Sequence, residues 1–227
     1  MAGKKNEEIV IEIKPIEKKI ITLKLVGDTP LIMHAWSEKA KRMMLEAQQG
    51  KSKGKAKAIK NPVADFIESM YWATPMPQYS EKASEEECEE AFEKAIEEGA
   101  MFYFPATAIK QAGNSAAYRL GWIKNQAGVR GAYFIKSQTP DGGIIIHSDT
   151  PIMREDMVRI GMGTADIRYR GEFRNWWAEI EVEITQNAGF TLENIINIMN
   201  AGGTICGIGE WRPEKDGDYG RYHVEAV

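Results

Sequence analysis

Three consecutive pieces near the carboxyl end carry the most structural information: Arg174–Ile184, RNWWAEIEVEI; Thr191–Met199, TLENIINIM; and Gly202–Gly220, GGTICGIGEWRPEKDGDYG. In the first, Trp176, Ala178, Ile180, Val182 and Ile184 fall on one side, and Trp177, Glu179, Glu181 and Glu183 on the other. That is the period of a half-buried strand. In the second, Leu192, Ile195, Ile196 and Met199 recur at helical spacing behind Thr191, a natural N-cap, and Gly202-Gly203 is expected to end the helix. Tyr222, Val224 and Ala226 alternate again after the glycine-rich stretch. The end of the chain therefore reads strand, helix, loop, strand.

Working back from there, the first half has the same grammar. Alternation over Ile9–Ile13 and over Ile21–Leu25 predicts two strands, and Gly27-Asp28-Thr29-Pro30 breaks the second before a short apolar run, Leu31–His34. A helix is expected from about Ser37 to Gln49. Another opens at Pro62, with Val63, Phe66, Ile67 and Met70 on one face. Ser84 and Glu87 form a capping box for an acidic helix over about 84–98, whose Cys88, Ala91, Phe92, Ala95 and Ile96 are its buried stripe. Met101–Phe104 reads as a strand. Pro105 then opens a helix whose packing face, Ile109, Ala112, Gly113, Ala116 and Ala117, is small enough to require a close neighbour. Val129–Ile135, Gly143–His147 and Ile152–Ile160 supply further strands. Two strand-helix-strand units in one chain predict a single α+β domain over 1–227, ferredoxin-like (RRM-like), an antiparallel sheet with helices on one face.

The 227 residues are 43% hydrophobic and 27% charged, enough apolar material for a core and too much for a disordered chain. No apolar run has membrane-spanning length and Met1–Glu8 has no signal-peptide pattern, so a cytoplasmic, non-membrane protein is expected. Two cysteines and three histidines at scattered positions form no metal-ligand spacing, so neither a metal nor a cofactor is expected. The net charge of -4 hides a strong polarity. Glu81–Glu98 holds nine Glu and two Lys, whereas Glu38–Lys60 holds eight Lys or Arg and two Glu. Within the latter, Gly50–Lys60 is low in complexity and lacks an apolar face, predicting a Lys/Gly-rich insertion at about 50–61.

Three segments carry chemistry. In the glycine-rich stretch, Gly207 and Gly209 suit backbone amide nests, Trp211 and Tyr219 offer flat faces, and Arg212, Lys215 and Arg221 supply cations, a set that suits a phosphate-sugar backbone. The same residues also fit a tight connection in which the glycines serve turns and Trp211 fills the core. It is neither a Walker loop nor a dinucleotide fingerprint, because no GxxxxGK[ST] occurs and the glycines follow a helix rather than opening one. Lys51, Lys53, Lys55 and Lys57 are either an electrostatic arm or a solubilising loop. Arg154, Arg159, Arg168, Arg170 and Arg174, interleaved with Tyr169, Phe173, Trp176 and Trp177, suit phosphate and base contacts, but Asp156, Asp166 and Glu172 lie among them and could satisfy every guanidinium. Trp176 is assigned to the core and Trp177 to stacking.

The stretch GIGEWRPEKDGDYGRYHV resembles the C-terminal glycine-rich loop of the RAMP superfamily, ferredoxin-like proteins that include the backbone subunits of CRISPR effector complexes and CRISPR RNA-processing endonucleases. Thr29-Pro30-Leu31 is similar to the family's early strand end. Phe104–Ala112, FPATAIKQA, resembles the helix start of the backbone subunits, with Gln111 or Ala112 where they have glycine and an insertion at Pro213–Asp216. The chain also resembles proteins carried by bacteriophages. The resemblance implies a non-catalytic protein that binds single-stranded RNA or DNA and oligomerises along it, often as a filament in the family. An alternative it implies is a metal-independent endoribonuclease with His34 as general base, since processing members use a histidine in this region. A third reading is a phage interaction or inhibitor protein that presents the acidic helix to a host complex.

Overall fold

The computed structural model describes residues 15–36, 38–50, 60–160, 163–186 and 188–227. The expected strand at Ile9–Ile13 and the lysines Lys51, Lys53, Lys55 and Lys57 lie outside them. In chain order the elements are β1 (Lys18–Gly27), β2 (Leu31–Met33), α1 (Glu38–Gln48), α2 (Pro62–Glu68), α3 (Glu85–Glu97), β3 (Phe102–Pro105), α4 (Ala106–Arg119), α5 (Ala127–Arg130), β4 (Tyr133–Ile135), β5 (Gly143–Ile146), β6 (Ile152–Ile160), β7 (Thr164–Phe173), β8 (Trp177–Thr185), α6 (Leu192–Ala201) and β9 (Tyr222–Ala226).

The fold is mixed α+β, and the described residues form three antiparallel sheets. The largest has the order β4-β8-β1-β9, with Leu23 opposite Ile180 and Leu25 opposite both Ala178 and Val224. Helices α4 and α6 cover one of its faces, where Leu23, Leu25, Ile180, Val182, Ile109, Ile195 and Ile198 form the core. The opposite face carries Lys24, Trp177, Glu179, Glu181 and His223. β2-β7-β6 and β3-β5 are smaller sheets.

The alternation over 174–184 is realised as expected, with Trp176, Ala178, Ile180, Val182 and Ile184 all buried. The capping box of Ser84 and Glu87 is present, and Thr191 forms a second one with Asn194. One expectation is corrected: Val129 lies in the short helix α5, and the strand starts only at Tyr133. As expected, α6 ends at Ala201 with Gly202 as its C-cap, and the chain goes on as a wide π-turn over Gly202–Cys206. Close approach requires both glycines. A Cβ on Gly202 would lie 2.6 Å from the Gly113 amide nitrogen, and one on Gly203 would lie 2.0 Å from the Tyr222 carbonyl oxygen. The glycines let the end of α6 wedge between α4 and β9, and α6 is the close neighbour that the small face of α4 required.

Candidate functional site

The glycine-rich loop is stitched to the turn after β1. The Gly220 amide donates to the Pro30 carbonyl at 2.8 Å, the Arg221 amide to Thr29 Oγ1 at 3.0 Å, and the Glu210 amide to the Ile32 carbonyl at 3.0 Å. Trp176 Nε1 donates to the Thr29 carbonyl from the core side at 2.9 Å, fixing that turn from below. Gly209 has φ +79°, and a Cβ there would come within 2.5 Å of the Ile32 carbonyl oxygen, so this loop position requires glycine.

This docking creates a cleft of about 190 Å³ between the loop, the end of β2 and the first turns of α4, lined by His34, Tyr71, Phe104, Gln111, Gly207–Glu210, Arg212 and Glu214 among others. His34 Nδ1 is buried without a hydrogen-bond partner. Burial pushes the imidazole pKa down and the nearby Arg170 guanidinium pushes it further, so the ring is neutral near pH 7 and retains a lone pair. The insertion at 213–216 forms a 3-10 turn whose Glu214 reaches Arg119 at 3.1 Å and Arg212 at 3.2 Å, clamping the loop onto the end of α4.

The amides are only partly available to a ligand. Those of Gly207, Ile208 and Glu210, of Lys215–Gly217, and of Tyr219 and Gly220 donate to the protein's own carbonyls. Among the described residues, those of Gly209, Trp211, Arg212 and Asp218 have no such partner. Trp211 is 38% exposed rather than filling the core, has φ +53°, and bonds the Asp156 carboxylate through its side chain. Lys215 and Arg221 have no carboxylate partner among the described residues.

The arginine constellation is where the sequence left two readings open, and the structure favours internal pairing. β6 and β7 form a hairpin whose charged side chains alternate across the register: Arg154 faces Arg170, and Asp156 faces Arg168. Arg154 bonds Asp156 at 2.8 Å and Glu172 at 3.0 Å, Arg170 bonds Asp156 at 3.0 Å, and Arg174 bonds Glu172 at 2.8 Å. Burial raises the pKa of Asp156, but bonds from Arg154, Arg170 and Trp211 outweigh it and hold the carboxyl below the usual range. Arg168 pairs with Asp166 at 2.8 Å. Two further contacts tie the ladder to the cleft: Arg170 reaches Glu210 at 3.6 Å, and Arg154 lies over the Tyr219 ring while donating to its hydroxyl at 3.0 Å. Tyr219 thus has one ring face occupied.

Trp177 lies elsewhere, on the open face of the large sheet. There it stacks on His147 with ring centroids 4.0 Å apart and has Lys24 above it. Glu179 and Glu181 stand on the same face, which makes it a poor surface for a polyanion. The sequence reading left out strand β7, because its buried Arg170 and Glu172 do not give the apolar alternation that marks a half-buried strand.

No family model matches the chain, and comparison with curated proteins finds no relative. Among the described residues, no group of three His, Cys, Asp or Glu could hold a metal ion, and no helix is long and apolar enough to cross a membrane.

Proposed function

We propose that the chain is a RAMP-type protein that binds single-stranded nucleic acid through the cleft beside the glycine-rich loop. One observation carries this reading: of the three segments in which the sequence resembles the family, at 29–31, 104–112 and 207–224, the second and third both line the cleft, and the first is hydrogen-bonded to the third through Thr29 and Pro30, although all three are far apart in the chain. The ferredoxin-like assignment is supported by strand order. Counting only β1, α4, β4, β8, α6 and β9, the chain runs βαββαβ, and its strands take the spatial order 4-1-3-2 from β9 to β4. The remaining elements are insertions into that path.

In this reading the backbone runs across the loop past Lys215 and Arg221. Trp211 offers a face for one base, worth about 1–3 kcal/mol, and the lysines at 51–57 add charge contacts. Arg168, Arg170 and Arg174 act indirectly, through the hairpin that backs the loop, and Trp177 takes no part. Oligomerisation along the ligand belongs to the same proposal. Binding of a labelled 20-nucleotide single strand, measured by anisotropy over a salt series, tests it. Affinity should fall as salt rises, because counterions are released on binding.

A second reading rests on His34. Its imidazole lines the cleft and burial keeps the ring unprotonated, which suits a general base toward a 2'-hydroxyl, as a metal-independent ribonuclease requires. Cleavage of RNA in EDTA that disappears in His34→Ala supports it, and cleavage that survives the substitution removes it. The phage-inhibitor reading has the acidic helix as its only support.

A further inference from the structure

The cleft beside the glycine-rich loop presents a carboxylate, which repels a polyanion unless it has a task of its own. Glu210 lines the cleft, and its backbone is fixed there: its amide donates to the Ile32 carbonyl at 3.0 Å, directly after Gly209, a position that requires glycine. The side chain is 41% exposed, and no donor among the described residues reaches hydrogen-bond distance of its oxygens. Arg170, at 3.6 Å, is already bonded to Asp156. His34, on the same wall, is uncharged near pH 7 and does not neutralise Glu210. The other two charged groups of the cleft satisfy each other. Arg212 bonds Glu214 and the Gly209 carbonyl, and Glu214 also bonds Arg119.

Size and shape restrict the guest. Pockets for drug-sized molecules measure about 300–1,000 Å³, so the 190 Å³ here admits one small ring system and not a whole nucleotide. Tyr71 and Phe104, both in the wall, meet edge to face with centroids 5.7 Å apart and planes at 85°. A flat guest lying on one of these rings therefore turns its rim toward the other.

An ionised carboxylate only accepts hydrogen bonds, so it selects among bases by their donors. The Watson–Crick edge of guanine carries two adjacent donors, N1–H and the N2 amino group, which match the two oxygens of one carboxylate. In adenine and cytosine the exocyclic amino group stands next to a ring nitrogen lone pair, and in uracil and thymine N3–H is flanked by carbonyl oxygens. Each of these would turn a repelling acceptor toward Glu210. We propose that the cleft takes a single guanine base of the bound strand, whose N1–H and N2 amino group donate to Glu210 and whose ring lies against Tyr71. This rests on the reading of the cleft as a single-strand binding site and adds a base preference to it.

Anisotropy titrations at low salt test the inference, with labelled 20-nucleotide oligouridine and oligothymidine in which one internal base is replaced by guanine, adenine, cytosine or hypoxanthine. A bidentate base contact discriminates by about tenfold or more, so in the series that binds, the guanine strand should bind about tenfold tighter than the adenine, cytosine and unsubstituted strands. Hypoxanthine keeps N1–H but lacks the N2 amino group, and should gain only about threefold. Glu210→Gln replaces one acceptor by a donor. It should bind all strands of a series within about twofold of one another and keep the wild-type salt dependence, because its phosphate contacts are unchanged. Equal affinity of the wild type for guanine, adenine and cytosine strands overturns the inference and leaves the single-strand reading standing. A guanine preference that survives in Glu210→Gln does the same. Absence of binding to every strand removes that reading and the inference with it. The hypoxanthine comparison needs no variant, so it decides the matter even if Glu210→Gln fails to fold: hypoxanthine binding as tightly as guanine overturns the two-donor contact.

Discussion

Arg170 joins the hairpin to the loop, and its replacement by methionine is the most informative stability experiment. The side chain is 6% exposed, bonded to Asp156 at 3.0 Å and facing Glu210 at 3.6 Å. The surrounding network is balanced: Arg154, Arg170 and Arg174 against Asp156, Glu172 and Glu210. Breaking a buried pair from one side costs about 3–5 kcal/mol, because a charge is left without its partner. Arg154 remains 2.8 Å from Asp156, so the charge is only partly stranded and the lower end, about 3 kcal/mol, is expected. In a domain of this size each kcal/mol shifts the melting temperature by about 2–4 °C, so Arg170→Met should melt about 6–12 °C lower. Urea denaturation should show a lower midpoint with an unchanged m-value. Adding Asp156→Asn restores charge balance and should recover about 1 kcal/mol or more. The reasoning is refuted if Arg170→Met lies within about 1 kcal/mol of wild type, or if Asp156→Asn adds a full loss of its own.

Further outcomes rest on single interactions. Gly209→Ala forces a side chain into φ +79° and against the Ile32 carbonyl, and should destabilise by about 2 kcal/mol or more in urea titration. Trp177→Ala should cost about 1 kcal/mol of stability by removing the His147 stack, while leaving single-strand affinity in an anisotropy titration unchanged. The His223 pKa is raised, first by its 2.6 Å bond to Asp28. Its stabilising effect is therefore fully present below the ordinary histidine value and lost as pH rises through its folded pKa, so the stability gap between wild type and His223→Asn should close toward alkaline pH. His34 runs the other way. Its pKa is lowered, so its contribution is present above the ordinary value and lost as pH falls through the folded one. NMR titration of the His34 ring in Arg170→Met should move that pKa upward.

How much of this was legible in the sequence depends on where each residue's partner lies. Ser84 and Glu87 are three residues apart, and β8 alternates over a single stretch, so local spacing revealed both. The small face of α4 announced a close neighbour without naming it, because the glycines that fit it are about ninety residues away. β7 was hidden because its buried side is charged, and burial of charge is intelligible only once Arg154 and Asp156 are seen across the hairpin. For Trp177, alternation places it on the open face, but His147 and Lys24, which lie against its ring, are distant in the chain and so leave no local pattern. At the cleft, the sequence supplied His34, Gly207, Gly209 and Arg212. It did not supply Tyr71 or Glu210, since neither belongs to a pattern until β2 and the loop are placed side by side.

The most direct test of the account is the salt dependence of single-strand binding in wild type and in a variant with Lys51, Lys53, Lys55 and Lys57 replaced by serine. On logarithmic axes the wild-type affinity should fall linearly with salt. Every phosphate that is no longer neutralised should reduce the slope by about 0.7, so the fourfold variant should flatten it by up to about 3. Absence of binding to RNA and single-stranded DNA at low salt, or binding that is indifferent to salt, would contradict the account.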